Sequence, residues 1–144
     1  MPDTTTTLAA LKDAMRRFVT ERNWEPFHSP KNLSMGVAVE AAELMEHFLW
    51  VDNDASRQVM HDPVKMAQIA DEMADVGCYL LAMANTLGVD LSEAIVAKLA
   101  KNCHEIPSGQ ISRKVSPGRR VGQVSNLPGL AGCRTEQQIN TREL

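Results

Sequence analysis

Two segments of this sequence constrain its fold most, because each combines an apolar stripe at helical spacing with a pair of carboxylates. The first segment carries Glu40 and Glu43, and the second carries Glu72 and Asp75. Residues three positions apart lie on one face of an α-helix, so the two carboxylates of each pair can bind the same cation. The chain therefore has to pack two helices together without burying four unpaired charges.

The positions of these carboxylates on a helical wheel distinguish them from ordinary surface charges. At about 100° per residue, they fall on the arc beside the apolar stripe instead of opposite it. We expect the stripes to face the core and the acidic side chains to point into a shared cleft. The predicted core residues are Leu33, Val37, Leu44, Phe48 and Val51 in the first segment and Ile69, Met73, Val76, Leu80 and Leu87 in the second.

Four carboxylates that converge in a partly buried cleft repel one another, and burial penalises their charged form. A hard divalent cation relieves both effects. Mg²⁺ suits such a site, because it prefers oxygen ligands and shares its remaining positions with water and substrate phosphates. The alternative is that both pairs are ordinary charges on solvated helix faces. The residues alone leave these two interpretations open.

Helix start and stop signals predict an all-α bundle of four main helices. Prolines at positions 26 and 30 interrupt the chain after the first helix. Ser29 with Pro30, and Asp62 with Pro63, are typical of helix starts, whereas Gly88 is typical of a helix end. The predicted helices cover about residues 8–22, 30–52, 63–87 and 91–103. Residues 51–61 are predicted to form a polar loop, in which residues 57–60 could form a short turn.

Composition excludes several classes of function. The chain has 144 residues, which favours one domain, and its net charge of -3 argues against general nucleic-acid binding. No apolar run approaches the roughly 18 residues of a membrane span, and the N-terminus lacks the pattern of a signal peptide. Three cysteines without a Cys-x-x-Cys pair predict free thiols in a reducing cytoplasm: Cys78, Cys103 and Cys133.

Several side chains outside the acidic pairs have the chemistry to bind a nucleotide. Trp24 and His28 could stack on a base, although Trp24 could equally close the end of the bundle. Lys98 and Asn102 are one turn apart on the last predicted helix and offer donors to phosphate oxygens. Gly36 precedes Glu40 by one turn, which leaves room either for a ligand or for close helix packing.

Three runs of the sequence resemble the MazG-like all-α NTP pyrophosphatases, and in particular the dCTP pyrophosphatase branch of that family. They are residues 21–33, 39–50 and 71–80, and the resemblance extends over about residues 8–107. It implies Mg²⁺-dependent hydrolysis of a nucleoside triphosphate to the monophosphate and pyrophosphate, with Mn²⁺ as a substitute metal. The implied metal-binding and catalytic residues are Glu40, Glu43, Glu72 and Asp75, and the implied substrate-binding residues are Trp24, His28, Trp50, Tyr79, Lys98 and Asn102.

The likeness fades after Pro107, where the family usually has a preceding tyrosine and this chain has Ile106. We predict a domain at residues 1–107 and a mostly disordered tail at 108–144, which is rich in Gly, Ser, Pro, Asn and Gln. Residues 76–87 are apolar almost all round, which predicts a homo-oligomer, either a dimer or a tetramer. Two other functions remain open: a phosphoribosyl-ATP pyrophosphohydrolase, and a non-catalytic helical interaction module.

Overall fold

The computed structural model describes residues 3–105, with side chains described for residues 3–103. These residues form α-helices and short 3-10 turns, and no strand occurs among them. The all-α prediction is therefore confirmed. The helices are α1 (Leu8–Glu21), α2 (Pro30–Glu46), α3 (Asn53–Gln58), α4 (Pro63–Leu87) and α5 (Leu91–Glu105), with 3-10 turns at Glu25–Phe27 and Val59–His61.

The chain divides after Val89 into two units, residues 1–89 and residues 90–144. The first unit contains α1 to α4, and within it α4 packs mainly against α2 and also against α1. Of the second unit only α5 is described, and its first turn is capped by the carboxylate of Asp90, which accepts from the amide of Glu93 at 3.0 Å. The predicted boundary at residue 107 and the tail at 108–144 lie outside the described residues.

Local capping explains where three of the helices start. The side chains of Thr7, Ser29 and Asp62 accept hydrogen bonds from amides in the first turns of α1, α2 and α4, respectively. Each cap satisfies amides that have no partner within the helix. The helix starts predicted from Ser29 with Pro30 and from Asp62 with Pro63 are therefore confirmed.

The end of α1 is a left-handed turn at Asn23, whose φ is 55°. The Trp24 amide donates to the Val19 carbonyl at 3.1 Å, and the Asn23 amide donates to the Thr20 carbonyl at 3.0 Å. This pair of bonds is the Schellman arrangement, and asparagine tolerates the left-handed conformation better than most residues. The turn orients the loop that begins with Trp24.

The predicted end of α2 at about Asp52 is wrong, because the helix ends at Glu46. The Phe48 amide donates to the Met45 carbonyl at 2.9 Å, which tightens the chain into a turn. Asp52 instead caps the short helix α3, where its carboxylate accepts from the amide of Ala55 at 2.7 Å. Trp50 therefore does not lie on α2 and is 93% exposed.

Five described apolar residues are buried: Val19, Leu33, Ile69, Ala82 and Ala84. Leu33 and Ile69 confirm the predicted core stripes, but the prediction is wrong for Val51, which is exposed after the end of α2. It is also wrong on α4 for Met73, Leu80 and Leu87, which are exposed. Together with Met66 these three residues recur every seven positions along α4 and form one stripe. We call these four residues the α4 stripe.

Two of the three cysteines lie among the residues whose side chains are described. Cys78 carries a free thiol as predicted, whereas Cys103 is disulfide-bonded, so the prediction of a free thiol is wrong there. Cys133 lies outside the described residues.

None of the described helices alone has the length and apolar composition to cross a membrane. The pair of α4 and α5, which is bent at the break between them, meets that test by length and composition only.

Candidate active site

Three of the four predicted carboxylates meet in space. Each of Glu40 and Glu43 on α2 and Glu72 on α4 offers an oxygen, and these three atoms all lie within 4.8 Å of one another. Glu40 and Glu72 are half-buried and Glu43 is exposed. We call these three residues the acidic cluster. Its existence follows from the packing of α2 on α4, which brings the two Glu-bearing faces together.

Asp75 is not a member of the acidic cluster, but it is close enough to act on it electrostatically. Burial is the main cause that raises the pKa of Glu40 above its ordinary value, and the charges of Glu43, Asp75 and Glu72 raise it further. The site thus resists carrying all its negative charges at once. A cation placed among the oxygens would remove that resistance.

The donor set itself selects the kind of cation. The acidic cluster offers carboxylate oxygens, which suit hard divalent cations; soft metals prefer thiolate or thioether ligands. An oxygen separation of up to 4.8 Å matches ligands on different sides of one ion whose bonds are about 2.0–2.6 Å long. The residues present therefore fit a divalent cation.

A cavity of about 550 Å³, which we call the aromatic pocket, lies between α1, α2, α4 and the loop after α1. Asp75 belongs to its lining and so connects the pocket with the electrostatics of the acidic cluster. Such a mostly apolar cavity with a few polar groups is typical of a small-molecule site. The lining residues are Met15, Phe18, Trp24, Phe27, His28, Asn32, Leu33, Asp75, Cys78 and Tyr79.

Trp24 and His28 are held in this pocket by a small network. The Trp24 ring contacts Phe18 edge-on at a centroid distance of 5.7 Å and stacks on the His28 ring at 6.4 Å. His28 Nδ1 lies 2.8 Å from the Trp24 carbonyl oxygen, so Nδ1 carries the proton and donates. In the neutral ring that leaves Nε2 as an acceptor. Trp24 remains 44% exposed, which leaves ring surface for a ligand.

Tyr79 and Cys78 line the pocket from α4. The Tyr79 ring packs directly on the backbone of α2 at Gly36, where an added Cβ would lie 2.6 Å from Cδ1 and 2.8 Å from Cζ. Close packing, one of the two interpretations of Gly36, is therefore the one observed. Burial and the neighbouring Asp75 raise the pKa of the Cys78 thiol, so it stays protonated and does not act as a nucleophilic thiolate.

The remaining predicted ligands are Trp50 in the first unit and Lys98 and Asn102 on α5 of the second unit. Trp50 is absent from the lining of the aromatic pocket and stands in the turn after α2. Lys98 is exposed and Asn102 half-buried on α5, which belongs to the second unit. Sequence reasoning also missed Met15, Phe18, Phe27, Asn32, Leu33 and Cys78 as pocket residues.

Comparison with known proteins now assigns the chain to a family. Residues 36–115 match the MazG-like family, which is more than half of the chain. The chain belongs to the MazG-like family. The matched residues of this MazG-like chain include the acidic cluster, Asp75 and Tyr79, whereas Trp24 and His28 precede them.

Two curated relatives of this MazG-like chain are dCTP pyrophosphatase 1 from Mus musculus and from Homo sapiens. The mouse protein is 34% identical over 101 residues, which cover 70% of this chain and 59% of the relative. The human protein is 33% identical over 102 residues, which cover 71% of this chain and 60% of the relative. The chain thus spans about three fifths of the length of these relatives.

A solved structure also resembles this MazG-like chain. The crystal structure of a pyrophosphatase from Archaeoglobus fulgidus superposes with a TM-score of 0.66 at 30% sequence identity. The match covers 75% of this chain and 99% of the archaeal chain. The fold is therefore shared over almost the whole of that protein.

Proposed function

We propose that this chain is a nucleoside triphosphate pyrophosphohydrolase that hydrolyses a dCTP-like (deoxy)nucleoside triphosphate to the monophosphate and pyrophosphate. Such a reaction serves to clear nucleotides from the cellular pool, and we propose that it takes place in the cytoplasm. The observation that carries the proposal is the acidic cluster beside an aromatic pocket lined by Asp75. Relatives named dCTP pyrophosphatase 1 and a pyrophosphatase structure support it.

We propose that Glu40, Glu43, Glu72 and Asp75 hold Mg²⁺, with Mn²⁺ as a substitute. The raised pKa of Glu40 supports this assignment, because a group of carboxylates that resists full ionisation is stabilised by a cation. When bound, Mg²⁺ supplies charge neutralisation for the phosphates and makes a coordinated water more acidic. The carboxylates would hold the cation, and one of them accepts the proton of the water that attacks the α-phosphorus as pyrophosphate leaves.

The aromatic pocket is the proposed site of the base and sugar. Trp24 offers a partly exposed ring for stacking, and His28 offers an acceptor at Nε2 to the edge of a base. Tyr79 lines the same pocket from α4. Lys98 and Asn102 are the proposed donors to the phosphates, since they are one turn apart on α5.

We propose that the active form is a homo-oligomer in which the α4 stripe of one copy packs on that of another. Only five apolar residues are buried in the described part of one chain, which is a small core. The side chains of the α4 stripe are exposed on one side of the helix, so a second copy packed there removes their apolar surface from water. Trp50 is a further proposed contact to the nucleotide, because its side chain is 93% exposed and so is free to bind a ligand.

The function is tested by incubating the purified chain with each dNTP, each NTP and phosphoribosyl-ATP in the presence of Mg²⁺. We expect nucleoside monophosphate and pyrophosphate in equal amounts from at least one free triphosphate, and less from phosphoribosyl-ATP. Release of orthophosphate would place the attack on a different phosphorus and contradict the proposal. No hydrolysis of any compound, with no Mg²⁺-dependent stabilisation, would favour the non-catalytic interaction module.

The oligomer is tested separately by sedimentation velocity. Leu80→Lys places a charge in the middle of the α4 stripe, and we expect the oligomer to dissociate because burial of that charge is costly. Met60→Lys changes an equally apolar side chain that is 64% exposed and outside the stripe, so it should leave the oligomer intact. A wild-type chain that sediments as a monomer at micromolar concentration would refute the oligomer.

A further inference from the structure

Gly36 and Tyr79 make a contact that any other residue at position 36 would prevent. A Cβ on Gly36 would collide with Cε1 of the Tyr79 ring and would lie 2.6 Å from Cδ1 and 2.8 Å from Cζ. Carbon atoms in favourable contact are about 3.5–4.0 Å apart, so the ring would have to move by roughly 1 Å. The colliding atoms run along one side of a rigid ring, and no flexible tip can give way.

Gly77 shows that glycine in these helices does not always have this role. A Cβ added at Gly77 on α4 would meet nothing within 4 Å. A glycine inside a helix costs about 0.5–1 kcal/mol relative to alanine. At Gly36 that cost is offset by the packing of an aromatic ring on the helix backbone, which Gly77 lacks.

The Tyr79 ring, which packs on Gly36, lies between the aromatic pocket and the acidic cluster of the proposed site. Tyr79 lines the aromatic pocket, and the backbone it rests on is one turn before Glu40 of the acidic cluster. A nucleotide with its base in the pocket and its phosphates at the acidic cluster has its sugar between the two. The position of the Tyr79 ring therefore determines the space left for the nucleoside.

We propose that Gly36 is a positioning residue that controls nucleoside binding by setting the place of the Tyr79 ring. This inference rests on the proposed function. Gly36→Ala pushes the ring off α2 and changes the space for base and sugar, while the acidic side chains keep their places. The loss therefore falls on binding of the nucleoside and not on the chemical step.

A first measurement needs no enzymatic activity. Tyr79 is the one tyrosine of the chain, so 3-fluorotyrosine incorporated into the full-length protein gives a single ¹⁹F resonance that reports on this ring. We expect Gly36→Ala to shift that resonance and Gly77→Ala to leave it close to its wild-type position. An unmoved resonance in Gly36→Ala would show that the ring does not depend on Gly36 and would overturn the proposal.

The second measurement compares KM and kcat for the best triphosphate. We expect Gly36→Ala to raise KM roughly tenfold, the scale of one aromatic contact, and to change kcat less than threefold. In a Tyr79→Ala background the same substitution should have no further effect on KM, because the ring it displaces is gone. An equal rise in KM in both backgrounds would overturn the proposal.

Two controls keep the outcomes distinct. Thermal unfolding of the four combinations of Gly36→Ala and Tyr79→Ala should show that Gly36→Ala destabilises the wild type more than it destabilises Tyr79→Ala. If the wild type neither hydrolyses a triphosphate nor shifts its ¹⁹F resonance with an α,β-methylene triphosphate analogue, the proposed function fails. The ¹⁹F shift and the unfolding cycle then still decide whether Gly36 positions the ring.

Discussion

One carboxylate oxygen of Glu40 lies within 4.8 Å of one carboxylate oxygen of Glu72, although the two residues belong to different helices. Burial is the main cause that raises the pKa of Glu40, and the charges of Glu43, Asp75 and Glu72 raise it further. A divalent cation would stabilise the charged forms of Glu40 and Glu72, since it is attracted to both carboxylates.

Glu72→Gln should abolish stabilisation by Mg²⁺ and lower kcat at least a hundredfold, because it removes a carboxylate that the proposed reaction uses for charge stabilisation. The measurements are the melting temperature with and without Mg²⁺, and pyrophosphate release. Glu46→Gln on α2 is the matched control, since Glu46 is exposed and outside the acidic cluster. A melting temperature of Glu72→Gln that rises with Mg²⁺ as in the wild type would contradict the metal assignment.

The raised pKa of Glu40 predicts how stability depends on pH in the absence of metal. Between its ordinary value of 4.5 and its raised value, the folded chain holds a proton that the unfolded chain has lost. The free energy of unfolding contributed by Glu40 is therefore fully present below 4.5 and falls as the pH rises through the raised pKa.

Urea unfolding in EDTA at a series of pH values tests this dependence. The wild type should lose stability relative to Glu40→Gln as the pH rises, whereas Mg²⁺ should stabilise the wild type increasingly over the same range because ligation needs the ionised carboxylate. Parallel pH curves for the two proteins in EDTA would be inconsistent with this prediction.

Trp24→Ala should raise KM about five- to a hundredfold, which corresponds to the roughly 1–3 kcal/mol measured for stacking a base on an aromatic ring. Trp50→Ala is the comparison for stability, because a side chain that is 93% exposed should change the free energy of unfolding by less than about 0.5 kcal/mol.

Fluorescence gives a direct view of the same contact. The chain has two tryptophans, so Trp50→Phe leaves Trp24 as the only emitter. Titration of that variant with a dNTP should quench the emission if a base stacks on the ring. Saturating nucleotide without any change in Trp24 emission would exclude stacking.

Asn23→Val should lower the free energy of unfolding by about 1–2 kcal/mol, because a β-branched residue is strained at a φ of 55°. Asn23→Gly, which adopts this conformation without strain, should leave stability unchanged or slightly higher. Urea unfolding of both variants measures the difference. Equal stabilities would mean that the left-handed turn before Trp24 is not maintained in solution.

Much of the fold was predictable because its determinants are local. Ser29 before Pro30 and Asp62 before Pro63 mark helix starts through hydrogen bonds within one turn, and Gly88 at a φ of 65° ends α4. The end of α2 was mispredicted because the apolar spacing continues past Glu46. A tightened turn and the Asp52 cap on α3 end the helix, and both depend on backbone hydrogen bonds that periodicity does not reveal.

The candidate site was predictable in part. Of the four predicted carboxylates, Glu40, Glu43 and Glu72 come together in the acidic cluster. Trp24 and His28 line the aromatic pocket, and their roles in binding a ligand stay predictions. Met15 and Phe18 carried no such signal, because an apolar residue on an amphipathic helix looks the same whether it faces a core or a cavity. Their role depends on how α1 packs against α4.

The sequence by itself determined where the main helices start, their caps and the identity of the acidic side chains, since these depend on residues within a few positions of one another. Only the tertiary structure decided that Glu40, Glu43 and Glu72 meet while Asp75 lines the aromatic pocket, and that Tyr79 rests on Gly36. It also decided that Met73, Leu80 and Leu87 are exposed in the single chain. The physical reason is that periodicity defines a face of a helix, whereas the packing of one helix on another defines what covers that face.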